Sequence, residues 1–472
     1  MKRMTRRVVA AIVAGALGSS ALTVPLVASA TPVTTFAALA AAAPGSPAHS
    51  VDRAFTSWAA ANLHEVSLTS RTNWADLEPL RRMIGDARVV SLGEGLHGSA
   101  EPLEFRNRLF QFLVERMDFT AIALESGLTE SYALDAYVLG GPGDPRQLAA
   151  RYITSGLGVF PQQAGLLEWM RAYNLDPRHA RKIHFYGMDI SGFPGQPGAP
   201  LDGALSYLDR VDAEAATALR KRLAPSLPFL TLDRFSDKPQ QYPGLPQGER
   251  DAVTAAIADL VTLYETRESD YIHATSESEY ELACRSALAA RQVDDYLRQV
   301  PIGWSAKSGP QSILGTVAVS DRAKLENIEW IRRQQQRDAG RLLIFTHLGH
   351  AAPTRVTIRL GESETLALPP MVGMYLKRRY GTDLVTLGHF FGRDLSTPGE
   401  RRLPAAPDSF EGLMASLHKP AFVLDLRPAP APIREWLSPM HDLYGQRPIH
   451  SLRVDEGVDI VLFTENATNA VR

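Results

Sequence analysis

Residues 88–98 read Arg88-Val89-Val90-Ser91-Leu92-Gly93-Glu94-Gly95-Leu96-His97-Gly98. An apolar run of strand length stops at a glycine. A carboxylate, a second glycine, an imidazole and a third glycine follow within five residues. The glycines permit a tight turn and close backbone approach, and two titratable groups arrive at one rim. From residue 99 to about 117 the pattern is helical, with Leu103, Phe105, Leu109, Phe112, Leu113 and Val114 on one stripe that Arg106 and Arg108 interrupt. The segment is strand, loop, helix, and in α/β proteins ligands bind beyond the carboxyl ends of strands.

The same grammar recurs outward from this stretch. Residues 119–124 are an unbroken apolar run bounded by Glu125-Ser126-Gly127, and 183–186 run into Gly187-Met188-Asp189. Residues 342–346 end in His347-Leu348-Gly349-His350, and 383–387, 422–425 and 458–463 read as further strands. Helical patterns fall at 53–66, 77–84, 165–173, 320–339 and 371–380. Unbroken rather than alternating apolarity implies burial on both faces, as in a parallel sheet. The predicted fold is α/β, a mostly parallel central sheet flanked by helices. Residues 201–300 lack strand signals and read as a helical insertion.

The chain has 472 residues, 45% apolar and 22% charged, which excludes disorder or a coiled coil as the main architecture. A net charge of −2 carries no global nucleic-acid footprint. Lys2, Arg3, Arg6 and Arg7 precede an apolar, small-residue run, and Ala28-Ser29-Ala30 has the form of a cleavage site. Residues 1–30 therefore read as a signal peptide, 31–50 as an Ala/Pro/Thr-rich flexible spacer, and 51–472 as the folded domain. The expected product is secreted or extracytoplasmic, with no stable membrane insertion after cleavage. One cysteine, Cys284, permits no intramolecular disulfide, and with no histidine or glycine elbow beside it a structural role is expected.

Four strand ends carry chemistry: Glu94 with His97, Glu125, Asp189, and His347 with His350. In a parallel sheet these ends share one edge. A histidine beside carboxylates suits a general base, because the acid fixes the tautomer and raises the basicity of the other nitrogen. No Gly-x-Ser-x-Gly elbow is present, so attack by His97-activated water is the simplest hydrolytic reading. Glu94 and Glu125 would position His97. Arg106, nine residues past it, would stabilise an oxyanion or orient one of the two glutamates. Asp189 and His350 are expected in supporting or substrate-binding positions. The same residues also have the ligand types for zinc, manganese or iron, although His-Glu-x-x-His is absent. Gly93-x-Gly95-x-x-Gly98 matches the dinucleotide-binding spacing, but the Glu94 carboxylate would repel a pyrophosphate.

With these residues set out, the chain resembles the erythromycin esterase family. The pieces are Gly93-Glu94-Gly95-Leu96-His97-Gly98, Glu104-Phe105-Arg106, the run into Glu125, Phe185-Tyr186-Gly187-Met188-Asp189, Asp321-Arg322 with Glu326-Asn327, and His347-x-x-His350. Later stretches, Gly373-Met374-Tyr375-Leu376 and Phe422-Val423-Leu424-Asp425-Leu426-Arg427, extend the likeness to about residue 463. The resemblance implies cleavage of a macrolide lactone, a small-molecule substrate, with no metal or other cofactor. It implies His97 as the base, Glu94 as its partner, and Arg106, Glu125 and His347 in the site. Antibiotic resistance would be the biological role. Two departures alter the pocket. Gly95-Leu96 stands where the family commonly has Ala-Thr or Ser-Thr, and Leu348 where it has Asn. A family member acting on a non-macrolide ester, or a secreted metal- or haem-binding protein of related fold, are the alternatives.

Overall fold

The glycine-terminated runs are the strands of one sheet, and their unbroken apolarity has a direct cause. In β2 (Val89–Glu94), Val90 and Leu92 point into one core while Val89 points into another. β3 (Phe119–Gly127) and β5 (Arg341–His347) repeat the division. Ile122, Leu124, Leu343 and Phe345 join the first core, and Ala121, Ala123, Leu342 and Ile344 the second. Side chains alternate across a strand, so a strand covered on both faces is apolar at every position. The computed structural model describes residues 47–69, 73–192, 198–230, 238–305, 307–336, 340–360, 364–397, 402–445 and 449–470.

The remaining strands of this sheet are β1 (His64–Glu65), β4 (His184–Asp189), β8 (Leu384–Leu395), β9 (Ala421–Asp425) and β12 (Ile460–Thr468). The order is β1-β9-β12-β8-β2-β5-β3-β4. β12–β8, β8–β2, β2–β5, β5–β3 and β3–β4 are parallel pairs, whereas β9 runs antiparallel to β12 and β1 antiparallel to β9. β2 is central, as its burial at all six positions requires. The helix Ala100–Met117 covers one face through Leu103, Leu109, Phe110 and Leu113. The helix Leu314–Gln336 covers the other through Leu325, Ile328 and Ile331. The latter starts six residues before the predicted 320.

A second sheet escapes the sequence reading. β6 (Thr357–Leu360), β7 (Glu364–Ala367), β10 (His441–Asp442) and β11 (Ile449–Leu452) form an antiparallel sheet in the order β10-β11-β6-β7. These strands have two or four residues, and β7 is mostly exposed, so no apolar run marks them.

Between β4 and β5 the described chain is helical. Gly198–Val211, Gln247–Thr266 and Glu277–Arg298 pack around their own core, which includes Leu201, Leu208, Ile257, Tyr264, Ala287 and Val293. Cys284 lies here, half-buried and free, and burial pushes its thiol pKa up. The expected signal peptide lies outside the described residues, as does most of the spacer. The spacer's last residues differ from expectation, because the helix Pro47–Asn62 begins inside them. Its proline occupies the first turn, where the missing N–H costs nothing. Among the described residues no helix is long and apolar enough to cross a membrane.

Candidate active site

The loop after β2 is held by close packing. A Cβ on Gly95 would sit 2.6 Å from the His389 carbonyl oxygen, and Gly98 has φ +76°. The loop thus turns sharply, and His97 folds back on Glu94 with Nδ1 2.5 Å from Oε1. The carboxylate accepts from Nδ1–H and fixes the tautomer. Nε2 of His97 and Oε2 of Glu94 are buried and have no partner. Burial alone would depress the imidazole, but the charge of Glu94 and its hydrogen bond outweigh it. With Glu125 adding to that pull and Lys324 opposing it, the pKa of His97 rises from 6.5 to about 9.

β3 and β5 deliver the next groups. Glu125 Oε2 accepts from Thr346 Oγ1 at 2.6 Å and from the His347 N–H at 2.9 Å, and its Oε1 lies 3.6 Å from His350 Nε2. Burial opposes ionisation of Glu125, yet the charges of His350, Lys324 and His97 hold it well below the usual carboxylate range. The His347 ring caps the short helix Leu348–Ala351, its Nδ1 accepting the Gly349 N–H at 3.1 Å. Its neutral form therefore carries the proton on Nε2. Burial and the imidazoles of His97, His450 and His350 push His347 well below 6.5, so it is neutral where His97 is charged. The His347 ring is 5.0 Å from that of His97 and 5.6 Å from that of His450.

Asp189 and His350 sit one layer further back. His350 Nδ1 lies 2.9 Å from Asp321 Oδ1, which also accepts the Val372 N–H at 2.7 Å. Asp189 pairs with Lys324 at 3.0 Å and accepts from Ser320 Oγ at 3.0 Å. Lys324 is fully buried. Desolvation opposes its charge, but Asp189, Asp321 and Glu125 outweigh this and raise its pKa. Glu94, His97, Glu125, His347, His350 and Asp189 thus gather at one sheet edge, linked by these contacts.

The contacts of Arg106 bear on one of its two expected roles, that of orienting a glutamate. Arg106 is fully buried from the helix Ala100–Met117, but no hydrogen bond or ion pair joins it to Glu94 or Glu125. Its Nε and Nη2 instead donate to Asn107 Oδ1 at 3.0 and 2.7 Å, and its guanidinium lies 4.9 Å from the Phe345 ring centre. Asn107 in turn donates to the Gln162 carbonyl at 2.8 Å. The guanidinium is oriented by its neighbour and acts on Glu94 through space, leaving Nη1 unpartnered.

Sequence reasoning assigned no role to Lys324 or His450, and none to Asp321. Lys324 left a usable signal: Ser320, Asp321, Lys324 and Asn327 lie at helical spacing on the face where an apolar stripe is expected, and all four are buried. His450 left none, since it comes from a short strand of the second sheet. Among the described residues no group of three His, Cys, Asp or Glu side chains can hold a metal ion. Nδ1 of His97, His347 and His350 each has a protein partner. A hollow of about 430 Å³ between Trp74 and Trp169 is lined by none of these imidazoles.

Comparison with known proteins places the chain in a family. The family model "Erythromycin esterase" matches residues 114–464, a span that includes Glu125, Asp189, Lys324, His347 and His350 and begins after Glu94, His97 and Arg106. Erythromycin esterase type II of Escherichia coli is 24% identical over 319 residues, covering 67% of this chain and 72% of that protein. A crystal structure of a Bacillus cereus protein superposes with a TM-score of 0.73 at 21% identity, covering 89% of this chain and 99% of the other. An erythromycin esterase mutant in its open conformation superposes with a TM-score of 0.62 at 17% identity, covering 86% and 98%. These two structural likenesses show the shared fold. With the family model spanning most of the folded chain, this protein belongs to the erythromycin esterase family.

Proposed function

We propose that this protein hydrolyses an ester or macrolactone by direct attack of water activated at His97, with a macrolide such as erythromycin the leading substrate. Membership of the erythromycin esterase family supports hydrolase chemistry. The observation that carries the mechanism is the Glu94–His97 pair, with Nδ1 clamped at 2.5 Å and Nε2 left unpartnered beside His347. Nε2 of the neutral ring takes a proton from water as its oxygen bonds to the ester carbonyl carbon. The resulting imidazolium is stabilised by Glu94 and returns the proton to the departing alkoxide. The products are an alcohol and a carboxylic acid, which releases its proton to solvent to become the carboxylate. His347, neutral with its proton on Nε2, supplies a donor for the oxyanion, and Glu125 holds the His347 backbone in place. The reaction draws on no metal. Export is part of the proposal, resting on the basic start, apolar run and Ala28-Ser29-Ala30.

One observation favours a smaller ester within the same chemistry. Nε2 of His97 is buried, which gives a small ester readier access to it than a bulky macrolide. The test uses protein beginning near residue 31, with erythromycin, other macrolides and simple esters, each with and without a chelator. Mass spectrometry is expected to show products heavier by one water, unaffected by chelator. Loss of turnover on chelation, restored by added metal, would overturn the metal-free mechanism. Turnover of simple esters alone would overturn the macrolide assignment.

A further inference from the structure

Beside Glu94 lies a small cavity of about 20 Å³, lined by Glu94, Glu125, Arg106, Gln163, Phe160 and Phe345 among others. His97 is not part of its lining. Three polar atoms of the lining residues are buried without a partner: Arg106 Nη1, Glu94 Oε2 and Gln163 Oε1. Their residues are 0%, 3% and 3% exposed. Gln163 comes from the helix Pro161–Leu175, and its Nε2 donates to the Leu157 carbonyl at 3.4 Å, leaving the amide oxygen as the unsatisfied end. Buried polar groups in native proteins are nearly always satisfied, by protein or by ordered water. A single water needs roughly 10–15 Å³ and two to four polar partners. The cavity offers both.

We propose that this cavity binds one ordered water that joins Arg106 to Glu94, and that Gln163 is a positioning residue acting through it. The donor and acceptor balance closes. The water oxygen accepts from Arg106 Nη1–H, and its two protons go to Glu94 Oε2 and Gln163 Oε1. All three orphaned atoms are satisfied, and a guanidinium with no direct contact to the catalytic carboxylate gains one by relay. A hydrogen bond donated to Oε2 spreads the negative charge of Glu94 and moderates its pull on the His97 proton. The water stands on the cavity alone. Its effect on turnover rests on the function proposed above.

The experiment is a crystal structure of the whole folded chain at a resolution that shows waters, paired with an NMR titration of the His97 ring nitrogens. The expected result is one ordered water within hydrogen-bond distance of Arg106, Glu94 and Gln163. In Gln163→Met, which keeps the length and removes the acceptor, the water is lost and the His97 pKa rises, because the negative charge of Glu94 is no longer shared with the water and pulls harder on the His97 proton. With an ester substrate, kcat falls roughly tenfold or more while KM stays within about twofold, as for a small misplacement of a catalytic group. An empty cavity in the wild type, or Arg106 paired directly with Glu94 or Glu125, would overturn the water site. A Gln163→Met protein that loses the water with an unmoved His97 titration would overturn the positioning role. The titration needs no substrate, so a protein that turns over no ester would discredit the hydrolase reading and leave this one standing or falling separately.

Discussion

Replacing Glu94 with Gln isolates the group that sets the basicity of His97. The rise of the imidazole from 6.5 to about 9 corresponds to roughly 3 kcal/mol of preference for the charged ring. It is achieved against burial, so Glu94 supplies more than the net. Glu94→Gln keeps the shape and removes the charge. Burial then dominates, and the ring titrates below 6.5, Glu125 alone being too weak a counterweight. In the wild type, only about one ring in a hundred is neutral at pH 7 if the pKa is near 9. The rate is therefore expected to climb about tenfold from pH 7 to 8, to be half-maximal near pH 9 and to level off toward pH 10. In Glu94→Gln the rising limb moves below 6.5. The plateau falls by roughly 10²–10⁴-fold, because the base is weaker and its tautomer no longer fixed. Initial rates between pH 5 and 10 on a hydrolysed substrate, with an NMR titration of His97, measure both. A rising limb that stays near 9 in the variant would refute the argument.

Three further outcomes follow from the geometry. Lys324→Met leaves Asp189, Asp321 and Glu125 without their buried cation, and chemical denaturation should show a loss of about 3–5 kcal/mol. Glu125 has a folded pKa well below its ordinary 4.5, so its ionisation stabilises the protein above that pH, and the benefit fades as pH falls below it. The stability deficit of Glu125→Gln should accordingly be full at pH 6 and shrink on acidification, as thermal melts across pH would show. Gly95→Ala places a Cβ 2.6 Å from the His389 carbonyl. It should lower stability by about 1–3 kcal/mol, the usual cost of overpacking, and reduce activity by displacing His97. A wild-type melting temperature in Gly95→Ala would show that the loop has room to move.

Much of this protein was legible because its sheet is buried on both faces. Val89-Val90-Ser91-Leu92 and Leu342-Leu343-Ile344-Phe345 advertise strands that feed two cores, and strands in parallel deliver their terminal residues to one edge. That is why Glu94, His97, Glu125, Asp189, His347 and His350 lie close in space although they span more than half of the chain. The second sheet was illegible for the opposite reason, since Glu364–Ala367 and its neighbours are short and half-exposed. Pairing was legible less often than place. Arg106 lies beside the site, yet its partner is Asn107, the next residue in sequence, and only the packing of the guanidinium against Phe345 decides this. Lys324 was passed over because a lysine among helical residues ordinarily faces water, and here the carboxylates of Asp189, Asp321 and Glu125 hold it inside.

The most direct test of the central claim is the turnover of His97→Asn beside the wild type, with the melting temperature of both. The account predicts a loss of at least roughly 10²–10⁴-fold, the usual consequence of removing a general base, in a protein that remains folded. Turnover near the wild-type rate in a folded His97→Asn protein would contradict it, and would move the base to another group of this edge.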